Sequence, residues 1–132
     1  MQRTIKFRAW LRYEKEMSEV LVLDNQDERA FVVRKDGTVG WRMFAELELV
    51  QYAGLKDKND IEIYEGDIIL VNVFMSKHVT GLVAFDRGSF CVTGNFEGWG
   101  YDCNTTNFWE MSTNGNEYKV IGNIYENPEL AK

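Results

Sequence analysis

Three carboxylic acids and a phenol lie close together in the middle of the chain, a set that can perform acid–base chemistry. Glu62, Glu65 and Asp67 flank Tyr64, and an acid with a raised pKa beside an ionised carboxylate can exchange protons with a substrate. No neighbouring residues place these acids in an apolar pocket, and the Glu-Gly-Asp sequence at 65–67 is typical of a turn between strands. The turn interpretation is therefore preferred, and we predict no catalytic residue.

Nucleophilic and metal chemistry find equally little support. The one histidine, His78, follows Ser76 by two residues, and the two cysteines, Cys91 and Cys103, are too far apart for a C-x-x-C site. A single histidine is too few for most metal sites, and neither a calcium loop nor a glycine-rich phosphate loop occurs. The sequence therefore predicts a protein that is not an enzyme, with no metal site and no cofactor.

The first residues of the chain contain a strand with one basic face. Apolar residues from Ile5 to Leu11 alternate with three cations and an indole, which are Lys6, Arg8, Trp10 and Arg12. This face could follow a phosphate backbone and stack a base, it could cover the core with its cations reaching water, or it could meet the acids of another subunit. Because the chain carries a net charge of −6 and no second basic stripe, packing or assembly is favoured, with nucleic-acid binding as the alternative.

A second group of candidates lies in a late stretch, residues 94–116, that is rich in glycine and asparagine. Its aromatic residues include Phe96, Trp99, Tyr101 and Trp109. Rigid aromatic side chains in such a loop can anchor a protein partner, or they can fold back and plug the open end of a small barrel. Plugging is the preferred interpretation, because monomers rarely expose large aromatic patches. If these side chains are exposed, they are the best candidates for contact with a partner.

The elements that must position these residues are mostly strands. Period-two alternation marks the first strand, and Asp36-Gly37 between two β-prone runs predicts a hairpin. A second hairpin is expected around Asp86-Arg87-Gly88, and a short strand near Phe108–Met111. The segment 44–50 has both helical and strand spacing. The pattern as a whole predicts a mainly β fold with little helix, closed as a small barrel or roll.

Composition places the protein among soluble globular domains. The chain has 132 residues, 45% of them apolar, and a pI near 4.8. No window is apolar enough for a transmembrane helix, and charges interrupt the N-terminus where a secretory signal would need an apolar run. We therefore expect a cytoplasmic protein with no membrane contact. The first 15 residues are mainly basic and those from Phe90 onward mainly acidic, which suits either self-association or an ordinary solvated surface.

Three blocks of the sequence resemble the YopX family of small phage and prophage proteins. They are Ile5-Lys-Phe-Arg-Ala-Trp10, the stretch from Gln51 to Asp67 that contains Tyr-Ala-Gly-Leu-Lys-Asp-Lys-Asn-Asp, and Val120-Ile-Gly-Asn-Ile-Tyr-Glu-Asn-Pro-Glu-Leu130. From the first block to the last they span nearly the whole chain, in the order of the family. The chain differs at Asp60, where many relatives are expected to have glycine, so the turn there is expected to be of a different type.

The resemblance implies a single domain over 1–132, with an N-terminal β part of about 1–50 and a barrel-like part of about 51–132 that is SH3-like. It implies a phage or prophage origin and hence the cytoplasm of a bacterial host, but no established activity and no functional residues. We therefore expect an accessory protein that acts by protein–protein interaction or self-assembly, as a homo-oligomer and with a phage or host protein as a possible partner.

Overall fold

The computed structural model describes residues 4–73, 77–86, 88–94, 105–107 and 117–131. Two compact units make up the chain: unit 1 spans Met1–Tyr52 and unit 2 spans Ala53–Lys132. Whether the two units constitute a single domain stays a prediction.

Unit 1 is an antiparallel sheet in which the first four strands form a meander and the fifth returns to pair with the first. In chain order they are β1 (Phe7–Leu11), β2 (Glu16–Asp24), β3 (Arg29–Val33), β4 (Val39–Met43) and β5 (Leu47–Lys56), the last of which continues into unit 2. Their order in the sheet is β4-β3-β2-β1-β5. Within the β3–β4 hairpin the amide of Arg34 donates to the carbonyl of Thr38 at 2.8 Å, and Gly37 has φ +88°. The hairpin predicted at Asp36-Gly37 is confirmed, with glycine at the position that needs a left-handed backbone.

The segment 44–50 contains both structures that its spacing allowed. A single 3-10 turn over Phe44–Glu46 comes first, and β5 begins at Leu47. The apolar side chains that β1, β3 and β5 direct to one side form the core of unit 1, comprising Ala9, Leu11, Ala30, Val32 and Leu47. Burial of this kind stabilises a fold by about 25 cal/mol per Å² of apolar surface.

Unit 2 holds the remaining strands. They are β6 (Glu62–Tyr64), which lies next to β5, and β7 (Asp67–Val73), β8 (Lys77–Asp86), β9 (Ser89–Gly94), β10 (Thr105–Asn107) and β11 (Glu117–Asn123), followed by a 3-10 turn over Pro128–Ala131. Strands β7 to β11 form an antiparallel sheet in the order β10-β9-β8-β7-β11. The β8–β9 hairpin confirms the second predicted hairpin, and Gly88 there has φ +81°. The strand predicted near Phe108–Met111 lies outside the described residues.

The core of unit 2 is built from one face of this sheet together with Ile63 of β6. Its fully buried members are Ile63, Ile69, Val71, Val83 and Val92. The prediction of a mainly β fold with little helix is confirmed. The predicted closure was wrong for the described part of the chain, since the strands there form two open sheets rather than a closed barrel. Alternation and turn signals identify strands, whereas closure depends on which edge strands meet, and no local pattern encodes that.

Candidate functional site

The basic strand β1 lies inside the sheet of unit 1, between β2 and β5. Its apolar side, with Ala9 and Leu11, is fully buried. The side chains of its other side are half-buried or, at position 12, exposed: Lys6, Arg8, Trp10 and Arg12. The structure therefore brings the four candidate residues to one face of one strand, as the alternation predicts.

Lys6 and Arg12 on this face are held by groups of unit 1. The ammonium of Lys6 lies 5.2 Å from the centroid of the Tyr52 ring, within the range of a cation–π contact. The guanidinium of Arg12 donates to the carbonyl of Ala45 at 2.6 Å and pairs with Glu48 on the neighbouring strand. Their charges are thus partly committed to the fold.

The other two members of the face lie between the same neighbours. Arg8 is opposite Glu19 of β2 and Val50 of β5, and Trp10 is opposite Met17 and Glu48. Directly opposed side chains in an antiparallel sheet contact one another. The indole is therefore half-buried among neighbouring strands rather than projecting as an open stacking platform.

The late aromatic candidates Phe96, Trp99, Tyr101 and Trp109 all lie outside the described residues. Whether they plug the fold or contact a partner stays a prediction. His78 is part of β8, opposite Asn72.

Sequence reasoning missed an apolar surface on β2, β3 and β4. Its members, here called the outer apolar face, are Val22, Phe31, Val39, Trp41 and Met43. Four of them retain between 41% and 57% of their accessible surface, and Phe31 is half-buried. The alternation of apolar side chains in Val39-Gly-Trp-Arg-Met43 was visible in the sequence, but alternation does not tell which side of a sheet is covered.

An aromatic pair with a bound guanidinium lies at the centre of this face. The rings of Phe31 and Trp41 meet edge to face with centroids 5.2 Å apart, and the guanidinium carbon of Arg29 lies 4.0 Å from the centroid of the Trp41 ring. Arg29 also donates to Asp24 at 3.1 Å. The amide of Asp27 and then Arg29 lower the pKa of the Asp24 carboxyl. The Trp41 ring is thus held in place by contacts with both Phe31 and Arg29.

Two ion pairs lie on the side of unit 1 opposite the outer apolar face. The guanidinium of Arg42 donates to Glu14 at 2.6 Å, and that of Arg34 donates to Glu16 at 2.9 Å. The hydrogen bond from Arg42 is the main reason that the pKa of Glu14 is lowered. These contacts draw the one charged side chain of β4 away from the outer apolar face.

In unit 2 three backbone amides donate to the buried carboxylate of Asp57. One oxygen of Asp57 accepts the amides of Asn59 at 2.8 Å and Ile61 at 2.9 Å, and the other accepts the amide of Val120 at 2.9 Å. Burial alone would raise the pKa of Asp57, but these three donors and the nearby Lys119 lower it. We call this arrangement the Asp57 clasp, since it fastens the 57–61 turn to β11.

The turn within the Asp57 clasp also explains the unusual residue at position 60. Asp60 has φ +66°, a left-handed backbone in which glycine is favoured. The amide of Asp60 donates to the carbonyl of Asp57 at 3.0 Å. The turn thus keeps a glycine-type conformation at a residue that is not glycine.

Asp67, one of the acids considered for acid–base chemistry, also serves to hold a turn. Asp67 is 2% exposed, and one of its oxygens accepts the amide of Tyr64 at 2.8 Å. Asn123 has the same role at the end of β11, where its side-chain oxygen accepts the amides of Tyr125 and Glu126 at 3.0 and 2.8 Å. Each of these side chains shapes a turn, as Asx residues commonly do.

Charge is divided unevenly between the two units. Unit 1 contains nine basic and nine acidic residues, whereas unit 2 contains six basic and twelve acidic ones. The whole net charge of −6 therefore resides in unit 2. Among the described residues no group of three histidine, cysteine or acidic side chains is placed to hold a metal ion, and no described helix is long and apolar enough to cross a membrane.

Comparison with known proteins places the chain clearly. The model of the family described as "YopX protein" matches residues 6–132. Protein EF1440 from Enterococcus faecalis has a similar structure, with a TM-score of 0.62, 29% identity, and coverage of 99% of this chain and 100% of that one. YopX from Bacillus subtilis is similar with a TM-score of 0.65, 18% identity and the same coverage. Among curated proteins none matches.

Proposed function

The chain belongs to the YopX family, and we propose on that premise that it is a phage- or prophage-encoded accessory protein that acts by binding proteins, beginning with copies of itself. It works in the cytoplasm of the bacterial host and catalyses no reaction. The observation that carries this proposal is the outer apolar face of unit 1, where Trp41 and its neighbours are exposed. Contiguous apolar surface of this kind on a soluble protein marks an interaction site.

The composition of the outer apolar face fits a contact surface. Its central residue is a tryptophan, the residue type most enriched among those that dominate binding energy, and the next strand supplies an aromatic neighbour, Phe31. Arg29 lies against the Trp41 ring and adds a polar group beside it. A partner that covers Trp41 would gain roughly 25 cal/mol for each Å² of apolar surface removed from water.

Nucleic-acid binding through the basic strand is less well supported. Arg12 is held by Glu48 and the Ala45 carbonyl, and Lys6 lies over Tyr52. Releasing either cation toward a phosphate would cost these contacts. Unit 2 would in addition repel a polyanion, because it carries all of the net negative charge.

The described acids support a role without catalysis. Asp57 and Asp67 are both buried, and each uses its carboxylate to accept backbone amides within its own turn. An acid that performs proton transfer must instead present its oxygen to a substrate. These two carboxylates are therefore better explained by folding than by chemistry.

Light scattering coupled to size-exclusion chromatography tests the proposal, at low and high salt and with and without a short DNA duplex. An oligomer that persists at high salt and ignores the duplex is the expected result, because apolar contacts are not screened by ions. A monomer that shifts with the duplex only at low salt would overturn the proposal, since electrostatic binding to DNA weakens steeply with salt.

A further inference from the structure

We propose that unit 1 binds a second copy of this chain through the outer edge of β4, which pairs antiparallel with β4 of that copy about a twofold axis at Trp41. The inference rests on the proposed function and names its surface and its partner. It follows from the position of β4 in the sheet, from the direction of its backbone groups and from the symmetry of its exposed side chains.

Strand β4 ends the sheet of unit 1 in the described part of the chain, with β3 as its one neighbour there. The amide of Arg34 donates to the carbonyl of Thr38, and the amide of Phe44 donates to the carbonyl of Glu28. These two hydrogen bonds fix which residues of β4 are hydrogen-bonded to β3. Backbone groups of antiparallel strands point alternately toward and away from the neighbour. Those of Gly40 and Arg42 therefore face β3, and those of Val39, Trp41 and Met43 face outward.

The other sheet edges in the described residues have protective features that β4 lacks. Strands β6 and β10 have only three residues each. Along β11, the amide of Val120 is taken by the Asp57 clasp, and the carbonyl of Tyr118 accepts the amide of Lys58 at 3.2 Å. Short length and covering loops are the usual ways to prevent edge-to-edge pairing. Strand β4 has five residues and presents three exposed apolar side chains.

The exposed row of β4 is complementary to itself. When Trp41 is placed opposite the partner's Trp41, Val39 falls opposite the partner's Met43, and the reverse pair follows by symmetry. Each pair would exchange two backbone hydrogen bonds, because all three residues have outward-facing amides and carbonyls. Apolar side chains thereby meet apolar side chains on the same face of the joined sheets.

Charge also favours a second copy at this edge rather than elsewhere. Unit 1 is neutral, with nine basic and nine acidic residues, while unit 2 carries the net charge of −6. Two copies that meet through unit 1 avoid placing twelve acids opposite twelve acids. The guanidinium of Arg42, the one cation of β4, is turned to the opposite face and bound by Glu14, so β4 itself places no unpaired charge in its exposed row.

Disulfide trapping tests the register directly. In a background with Cys91→Ala and Cys103→Ala, the double variant Val39→Cys/Met43→Cys should form a linked dimer on mild oxidation, since paired Cα atoms lie about 5.5 Å apart. Each single variant should remain unlinked, because identical residues would lie about 13 Å apart, four residues along the strand. Sedimentation of Trp41→Lys should show dimer affinity reduced at least about tenfold, with Tyr13→Lys, at a residue 94% exposed, unchanged.

The outcomes separate the inference from the proposed function. An oligomer that resists high salt, but that survives Trp41→Lys or fails to cross-link between positions 39 and 43, would overturn the β4 pairing and leave the function standing. A wild-type chain that is monomeric at every concentration would overturn both. Linked dimers in the single variants at a yield equal to the double variant would contradict the register about Trp41.

Discussion

Charged side chains of unit 1 pair mainly with one another, whereas the buried acids of unit 2 bind the backbone. In unit 1, Arg42 meets Glu14 and Arg34 meets Glu16 across neighbouring segments. In unit 2, Asp57 accepts three amides and joins residues 63 positions apart. Ion pairs near the surface contribute little to stability, while a buried carboxylate with three donors is costly to remove.

The same contrast separates the proposed contact surface from the turns that stabilise the fold. Two of the three blocks that resemble the family, Gln51–Asp67 and Val120–Leu130, contain the Asp57 clasp, Asp67 and Asn123. Their polar residues are used within turns, which explains why the resemblance identifies the fold and no chemistry. The outer apolar face lies in unit 1, and none of its five residues belongs to any of the three blocks.

The largest expected effect breaks the Asp57 clasp. Asp57→Ala leaves the amides of Asn59, Ile61 and Val120 without their buried acceptor, so the free energy of unfolding should fall by about 3 kcal/mol. Urea denaturation followed by circular dichroism measures the change. As a matched control, Asp57→Asn keeps one oxygen for the 57–61 turn and should lose less. Equal stability of Asp57→Ala and the wild type would contradict a structural role for the clasp.

The next effect tests close packing at the end of β11. A Cβ on Gly122 would lie 2.5 Å from the side-chain oxygen of Asn127 and 3.1 Å from Leu130, so Gly122→Ala should cost about 2 kcal/mol through overpacking. Thermal unfolding provides the measurement. Gly40→Ala in β4 is the control, because a Cβ there meets only the end of Arg42 at 3.8 Å. Equal melting temperatures for the two variants would contradict the close packing around Gly122.

A smaller effect is expected on the stability at low pH. The pKa of Asp57 is lowered in the folded protein, so its stabilisation is complete above the unfolded carboxyl pKa of about 4 and is lost as pH falls through the folded value. Urea unfolding measured from about pH 6 to about pH 3, a range that includes the unfolded carboxyl pKa, should show the free energy of unfolding falling more steeply for the wild type than for Asp57→Asn. Parallel pH profiles for the two proteins would exclude Asp57 as the group responsible.

The smallest effect belongs to the ion pairs of unit 1. Glu14→Gln removes the ionic partner of Arg42. Because the side chains of Glu14 and Arg42 are 20% and 25% exposed, the free energy of unfolding should fall by only about 0.5 kcal/mol at low salt. The cost should shrink in high salt, because ions screen the pair. Denaturation at two salt concentrations checks this. A loss comparable to that of Asp57→Ala would remove the distinction between the two units.

Local patterns predicted much of the fold. Alternation from Lys6 to Arg12 identified β1 and its two faces, and Asp36-Gly37 identified the β3–β4 turn, because both signals come from neighbouring residues. The Asp57 clasp could not be predicted, since its donor at Val120 is distant in sequence and is brought near only by the fold. Spacing over 44–50 fitted both helix and strand, and the chain uses one and then the other.

The candidate site was predicted less well, for a related reason. Lys6, Arg8, Trp10 and Arg12 do share a face, but the contacts of Lys6 and Arg12 with the β5 side of the sheet were not visible in the sequence. Trp41 and its neighbours show the opposite case. Their alternation resembles that of any half-buried strand, and only the order of strands in the sheet places them on an uncovered face at an edge.

The central claim is that unit 1 makes the protein contact while unit 2 serves as scaffold. Amide hydrogen exchange at dilute and concentrated protein, resolved residue by residue, tests it most directly. We expect concentration to slow exchange at Val39, Trp41 and Met43, whose amides face outward, and to leave Gly40, Arg42 and the strands of unit 2 unchanged. Unaltered exchange in β4, or new protection confined to unit 2, would contradict the claim.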